Sequence, residues 1–316
     1  MKKIIIYFIL TAVICGCENV SKENAQSAIN KDIPLLKQEF YINPLMDTLL
    51  KCKFGSEIYI QANSFCYEDS SSLIPEAEIL LEIFEYVRLT DMVLNKLSTL
   101  SDNKIIETGG MLNITGNSNN KSIKLRENKS IKIYFPSKPN GFFSFYSEGG
   151  KNHESVNWTI EKNQSHPVAQ VRQDTSLFEG DTLNWNKNNA KLNVLSFNKL
   201  GWINCDRFLN FDNTTDIFVK VEGNYIDSST FCSVILKSYN SIIPGKIISD
   251  NSMRFFPLPI NEAVTLFLIS YKDGNYYMGI KDVIVKEKET YSVNLELVTK
   301  EQLKYKIEEF DKGRPL

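Results

Sequence analysis

The chain reads as all-β: two antiparallel β-sandwich domains followed by a short C-terminal helix. Three observations predict this. Apolar and polar residues alternate in short runs, as in Ser56-Glu57-Ile58-Tyr59-Ile60-Gln61 and Ser130-Ile131-Lys132-Ile133-Tyr134-Phe135, which is the period of a strand with one buried face. Such runs recur at intervals of about ten residues in the second half, separated by turn signals such as Lys272-Asp273-Gly274-Asn275,. No helical pattern lies between them, so the connections suit hairpins and a sandwich, not a parallel α/β sheet.

Composition agrees with a packed globular chain. Hydrophobic residues make up 42% and charged residues 23% of 316 residues, so there is enough apolar material for real cores. The formal net charge of -2 gives nucleic acid no electrostatic footing.

The chain opens with Met1-Lys2-Lys3, an apolar run from Ile4 to Ile14, and Cys15-Gly16-Cys17. The run is too short for a membrane span, which needs roughly 20 apolar residues. Two lysines, a short apolar core and small residues at its end make a secretory signal peptide over residues 1–16. The sequence Ile14-Cys15-Gly16-Cys17 resembles the lipobox of bacterial lipoproteins. That resemblance implies lipidation of Cys17 with acyl chains such as palmitate, hence membrane attachment through a lipid anchor. In lipoproteins of this type an aspartate after the cysteine often signals inner-membrane retention. Glu18 stands there instead, so the resemblance points to the outer membrane, with either face open.

Residues 17–38 are polar and aperiodic at first and read as a flexible tether. The first sandwich is expected over 39–148. Within it Ala77 to Val87 reads as a strand with a bulge, from its Ile, Phe, Tyr and Val content. Leu89 to Leu97 reads as a short helix capped by Thr90, with Met92, Val93 and Leu97 facing inward. Residues 149–196 hold Gly149-Gly150, His153 and His166 among many Asn, Gln and Ser; they read as a linker or elaborated loop region. The second sandwich, Ig-like, is expected over 197–298. The closing helix, 299–311, begins with the capping box Thr299-Lys300-Glu301-Gln302. Leu303, Ile307 and Phe310 form its apolar stripe.

Removal of Cys15 with the signal and lipidation of Cys17 leaves Cys52, Cys66, Cys205 and Cys232. In an oxidising compartment these either bridge locally, Cys52 with Cys66 and Cys205 with Cys232, or remain buried thiols. Both readings stand on sequence alone.

Several motifs occur in order along the chain: Ile58-Tyr59-Ile60-Gln61-Ala62-Asn63-Ser64-Phe65, Glu85-Tyr86, Asp91-Met92, Thr108-Gly109-Gly110-Met111-Leu112, Ile131 to Pro136, and Leu200-Gly201-Trp202-Ile203-Asn204-Cys205-Asp206-Arg207-Phe208. Together they resemble a family of uncharacterised two-domain lipoproteins and surface proteins of the Bacteroidetes, whose first half is similar to the ZU5-type β-sandwich. The resemblance spans roughly residues 40–300 and implies a fold and an address; it carries no activity.

The motifs also have plain physical readings. Two glycines before a strand, at Gly109-Gly110, predict a positive φ or a close backbone approach. Asn204, Asp206 and Arg207 are the polar remainder of an apolar segment, and predict a polar cluster at the domain junction with Asp206 beside Arg207 as a buried ion pair. Tyr276 and Tyr277, next to a Gly-Asn turn, are the best candidates for exposed binding aromatics.

Catalytic groups are sparse. His153 and His166 are the only histidines, and neither GxSxG nor HExxH is present,. No Cys/His spacing suggests a metal. Carboxylates at Glu82, Glu85 and Asp91, or at Asp206, Asp212 and Asp216, are candidates for paired glycosidase work, although a strand would set Glu82 and Glu85 on opposite faces. The sequence therefore predicts a non-catalytic envelope protein with no metal and no cofactor, a binding or assembly module for a protein or glycan partner. A glycan-active hydrolase, or an accessory subunit of one, and a structural spacer of an envelope complex are the alternatives.

Overall fold

The computed structural model describes residues 25–74, 77–101, 103–136, 144–148, 158–160, 193–222 and 230–312. The elements run in order as α1 (Ala25–Asp32), β1 (Lys37–Ile42), β2 (Thr48–Lys51), β3 (Glu57–Ile60), β4 (Phe65–Tyr67), β5 (Ile79–Tyr86), α2 (Leu89–Leu94), β6 (Leu100–Ser101), β7 (Lys104–Ser118), β8 (Lys121–Leu125) and β9 (Ile131–Phe135). Then come β10 (Ser144–Glu148), β11 (Trp158–Ile160), β12 (Asn193–Phe197), β13 (Gly201–Phe208), β14 (Thr214–Glu222), β15 (Thr230–Leu236), β16 (Ser241–Pro244), β17 (Lys246–Ser249) and β18 (Ser252–Pro259). The chain ends with β19 (Ala263–Lys272), β20 (Asn275–Ile284), β21 (Thr290–Asn294), β22 (Glu296–Val298) and α3 (Lys300–Glu308).

The protein is all-β in character, as the strand periodicity predicts. Its first sandwich packs a sheet of order β1-β5-β7-β13-β10-β11 against a smaller one of order β12-β9-β3-β2. Its second packs β17-β18-β14-β21 against β16-β15-β19-β20-β22. Among the described residues every strand pairing is antiparallel except β14 with β21.

Alternation builds each core. Ile79, Leu81 and Ile83 of β5 point into the first sandwich, against Ile58, Ile60, Ile131 and Ile133 of the facing sheet. β5 holds one register with both neighbours, so the expected bulge is absent from it. The bulge lies in β7 instead: Cys205 pairs with Gly110 and Asp206 with Thr108, leaving Gly109 over,. Gly110 has φ +135°, and a Cβ there would stand 2.8 Å from a Val87 methyl carbon and 3.0 Å from the Phe135 ring. Both readings therefore hold at Gly110, although the pair lies inside β7 and not before a strand.

The two sandwiches share a third core. In β15, Cys232, Val234 and Leu236 point into the second sandwich, while Phe231 and Ile235 point out of it. In β19, Leu266 and Leu268 point in, and Phe267 and Ile269 out. The outward residues meet Tyr86, Met111 and the buried faces of all three helices. The result is five layers: sheet, sheet, helices, sheet, sheet. Strands buried on both faces carry near-continuous apolar runs, as Phe231 to Leu236 does,.

Three expectations about organisation are corrected. The tether is not flexible throughout, because Ala25–Asp32 is a helix with Ala25, Ala28 and Ile29 buried in the shared core. Eight residues are too few for a helix stable alone in water, so docking makes it. The first sandwich does not end at 148: β12 pairs with β9, and β13 pairs with β7 and β10. The segment opening at Leu200 therefore closes the first sandwich and does not open the second. Residues 149–196 contribute β11 and most of β12 to that sandwich; the rest of the interval, the expected signal peptide, Cys17 and residues 18–24 lie outside the described residues.

The closing helix forms as its capping box predicts. The Gln302 N–H donates to the Thr299 hydroxyl at 3.2 Å, and the Thr299 N–H donates to Gln302 Oε1 at 2.8 Å,. Leu303, Ile307 and Phe310 are all buried. Burial of each is worth about 1.5–3 kcal/mol against exposure, so tertiary packing holds this short helix.

Candidate functional site: the helical junction

The junction is assembled from both halves of the chain. Thr99, just before β6, and Thr108 of β7 both bond to the Asn240–Ile242 segment. The Thr99 N–H donates to the Ile242 carbonyl at 2.9 Å, the Ile242 N–H donates to the Thr99 hydroxyl at 2.7 Å, and that hydroxyl lies 2.6 Å from the Ser241 hydroxyl. Asn240, in the left-handed conformation that asparagine tolerates,, donates from Nδ2 to the Thr108 carbonyl at 2.6 Å. The partners are buried or nearly so, where each hydrogen bond left unmade would cost about 1–3 kcal/mol.

Asn204 and Asp206 do come together here. Both are fully buried, two residues apart on one face of β13. Thr108 donates its hydroxyl to Asn204 Oδ1 at 3.0 Å, and Asn204 Nδ2 donates to Asp206 Oδ2. The Gly110 N–H donates back to the Thr108 hydroxyl at 3.1 Å. The β7 bulge makes this possible by setting Thr108 opposite Asp206. Burial pushes the Asp206 carboxyl well above the usual carboxylate range, offset in part by the Thr108 hydroxyl nearby. Among the described residues Asp206 Oδ1 has no hydrogen-bond partner.

Arg207 does not join them, which corrects the expected ion pair. Successive strand residues point to opposite faces, and Arg207 turns to the other, where it is half-buried and its Nε donates to Glu107 at 2.6 Å.

The helices are tied by side chains distant in sequence. The Asp311 carboxylate accepts from the Leu89 and Thr90 N–H groups, which open α2. The Thr90 hydroxyl, the expected cap, donates instead to the Ile307 carbonyl at 3.0 Å. Met92, Val93 and Leu97 face inward as their spacing predicts. Arg88 forks onto Asp91 with bonds of 2.7 and 2.6 Å and stacks 4.0 Å above the Phe54 ring. Burial raises the Asp91 carboxyl, offset in part by Arg88.

Tyr276 is not an exposed binding aromatic. It is 4% exposed, and its hydroxyl donates to Asp32 of α1 at 3.0 Å. Tyr277, one residue on, packs against the second sandwich core. Both strand faces are covered here, which a neighbouring turn does not reveal. Among the described residues the exposed tyrosines are Tyr41 and Tyr305, at 61% and 57%.

Cys52, Cys66, Cys205 and Cys232 are free and buried, so neither expected bridge exists. Cys205 belongs to the first sandwich core and Cys232 to the second. Burial raises the Cys52, Cys205 and Cys232 thiols, the last to about 12. They behave as small apolar residues.

The carboxylates considered for hydrolysis are engaged with partners except Asp212, which lies exposed. Glu85 is buried at the edge of the first core and accepts from the Phe54 and Ser56 N–H groups at 2.7 and 2.8 Å. It thereby fixes the turn between β2 and β3 from the opposite sheet. Glu82 accepts from Lys37 at 2.5 Å, and Asp216 from Arg254 at 2.7 Å. Among the described residues no group of three His, Cys, Asp or Glu is arranged to hold a metal ion.

What the sequence does not reveal is the apolar edge of the second sandwich. All four residues of β17 are exposed, including Ile247 and Ile248, and Phe256 of the neighbouring β18 is exposed too. The run Ser241-Ile242-Ile243-Pro244 nearby carries the same Ile-Ile pair and is mostly buried, so the pair by itself does not tell which of the two lies open. No protein-family model matches the chain, and no curated protein matches it.

Proposed function

We propose that this chain is a non-catalytic lipoprotein of the outer membrane, anchored through Cys17, that presents a rigid body as a binding or assembly module for an envelope protein or glycan. The shared helical core carries the reading. It welds two sandwiches into one unit, so faces on both are held at fixed separation. Such a unit suits docking of partners better than chemistry, and the acids nearest the junction are engaged by the backbone or by neighbouring Arg, Asn and Tyr side chains. The exposed apolar edge at Ile247, Ile248 and Phe256 favours a protein partner, since an unpaired strand edge accepts another strand. The same reading keeps the chain with the Bacteroidetes lipoproteins its motifs resemble, and its first sandwich with the ZU5-like domains.

The test is cross-linking from an engineered photoreactive residue at Ile248 in intact cells. A discrete envelope-protein adduct that an Ile247→Asp variant abolishes supports the reading. Conversion of a polysaccharide by the purified protein would overturn it.

A further inference from the structure

We infer that one pole of the molecule, the end of the second sandwich crossed by α1, faces the membrane surface. The inference rests on the lipid-anchor reading of Cys17 and adds an orientation to it.

Where α1 lies decides the matter. Gln26, near its start, donates to the Leu94 carbonyl at the end of α2 at 2.6 Å. Just beyond Leu94, the Lys96 ammonium stands 5.1 Å from the Phe231 ring centre, at the beginning of β15. At the other end of α1, Asp32 accepts from Tyr276, at the beginning of β20. The helix therefore crosses the same end of the sheet from the β15 side to the β20 side, and this end carries the Lys272-Asp273-Gly274-Asn275 turn.

Chain length supplies the constraint. Only residues 18–24 separate Cys17 from Ala25. At roughly 3.3–3.6 Å per residue that connection reaches at most about 28 Å. β19 and β20 each contain ten residues, so the opposite pole, with the turn at Lys286 to Glu289, lies about 33 Å away. Standing the molecule on that opposite pole would lift α1 higher than the connection can reach. Had residues 17–38 all been free tether, either pole could have met the membrane. Docking of α1 removes that freedom.

The experiment uses the full lipidated chain in phosphatidylethanolamine/phosphatidylglycerol vesicles that carry a headgroup-linked acceptor dye. Donor dyes are placed at Lys272→Cys and, separately, at Glu287→Cys, both exposed positions; the native thiols of the body are buried and stay unlabelled. Energy transfer should be several-fold stronger from 272 than from 287. Insertion of about twenty Gly/Ser residues before Ala25 should bring the two together while vesicle attachment persists. Equal transfer, or stronger transfer from 287, in an attached unmodified chain would overturn the orientation and leave the anchor standing. Unchanged vesicle binding by Cys17→Ala would overturn the anchor, and the orientation with it.

Discussion

Asp311 caps a helix that lies 222 residues earlier in the chain: its carboxylate accepts from the Leu89 N–H at 2.8 Å and from the Thr90 N–H at 3.1 Å. The residue at the cap position of α2, Arg88, makes no capping bond with its side chain. The far C-terminus thus satisfies donors that would otherwise be orphaned at the centre of the molecule, and places negative charge where the helix dipole favours it.

Replacement of Asp311 by Ala should cost about 0.5–2 kcal/mol, the usual range for loss of a helix cap. Asp311→Asn should recover part of that, since an amide oxygen still accepts. Urea denaturation of the three proteins checks the order, and an alanine variant as stable as the parent would remove the cap from the account.

Asp206 predicts a pH dependence of definite sign. Its folded-state carboxyl is raised, so it keeps its proton in the folded chain when the unfolded chain has lost its own near the ordinary value of 3.8. Stability from this group is fully present below that value and is lost as pH rises toward the folded value, by up to about 1.4 kcal/mol per unit. Asp206→Asn keeps the shape and removes the ionisation. The stability difference between parent and variant should therefore shift in the variant's favour between pH 5 and pH 7, and parallel pH profiles would count against it.

Gly110 should tolerate no side chain. Its φ of +135° lies where residues with a Cβ are strained, and the added atom would meet Val87 and Phe135. Gly110→Val should cost roughly 2–4 kcal/mol, from strain and overpacking together. The bulge is also what faces Thr108 to Asp206, so loss of near-ultraviolet signal from the Tyr86–Trp202 stack, whose ring centres are 5.3 Å apart, should accompany it.

The thiols offer a direct check on burial. Cys52, Cys66, Cys205 and Cys232 should be inert to a water-soluble thiol reagent in the folded protein and should all react after unfolding without reductant. Fewer than four reactive groups in the unfolded body would mean that a bridge exists after all.

Some of this was legible in the residues themselves. Strand positions follow from alternation, because a strand with one buried face must alternate. The capping box at Thr299 and Gln302 is local chemistry, and so is the stripe of Leu303, Ile307 and Phe310. The polar remainder Asn204 and Asp206 was recognisable as a cluster because two buried polar residues in an apolar run need partners.

The tertiary structure decided everything that depends on which surfaces meet. Alternation shows that Gly201–Phe208 is a strand, but says nothing of its neighbours; pairing with β7 puts it in the first sandwich. Asp206 and Arg207 are adjacent in sequence and opposed across the pleat, so one is a fully buried acid and the other is half-buried and paired with Glu107. A polar octamer with Ala25, Ala28 and Ile29 on one side is too short to declare itself a helix, and becomes one only where Leu94 and Tyr276 receive it. Local periodicity reports how many faces a segment buries. What lies against each face is a long-range fact, and at this junction it turns two sandwiches and three short helices into a single body.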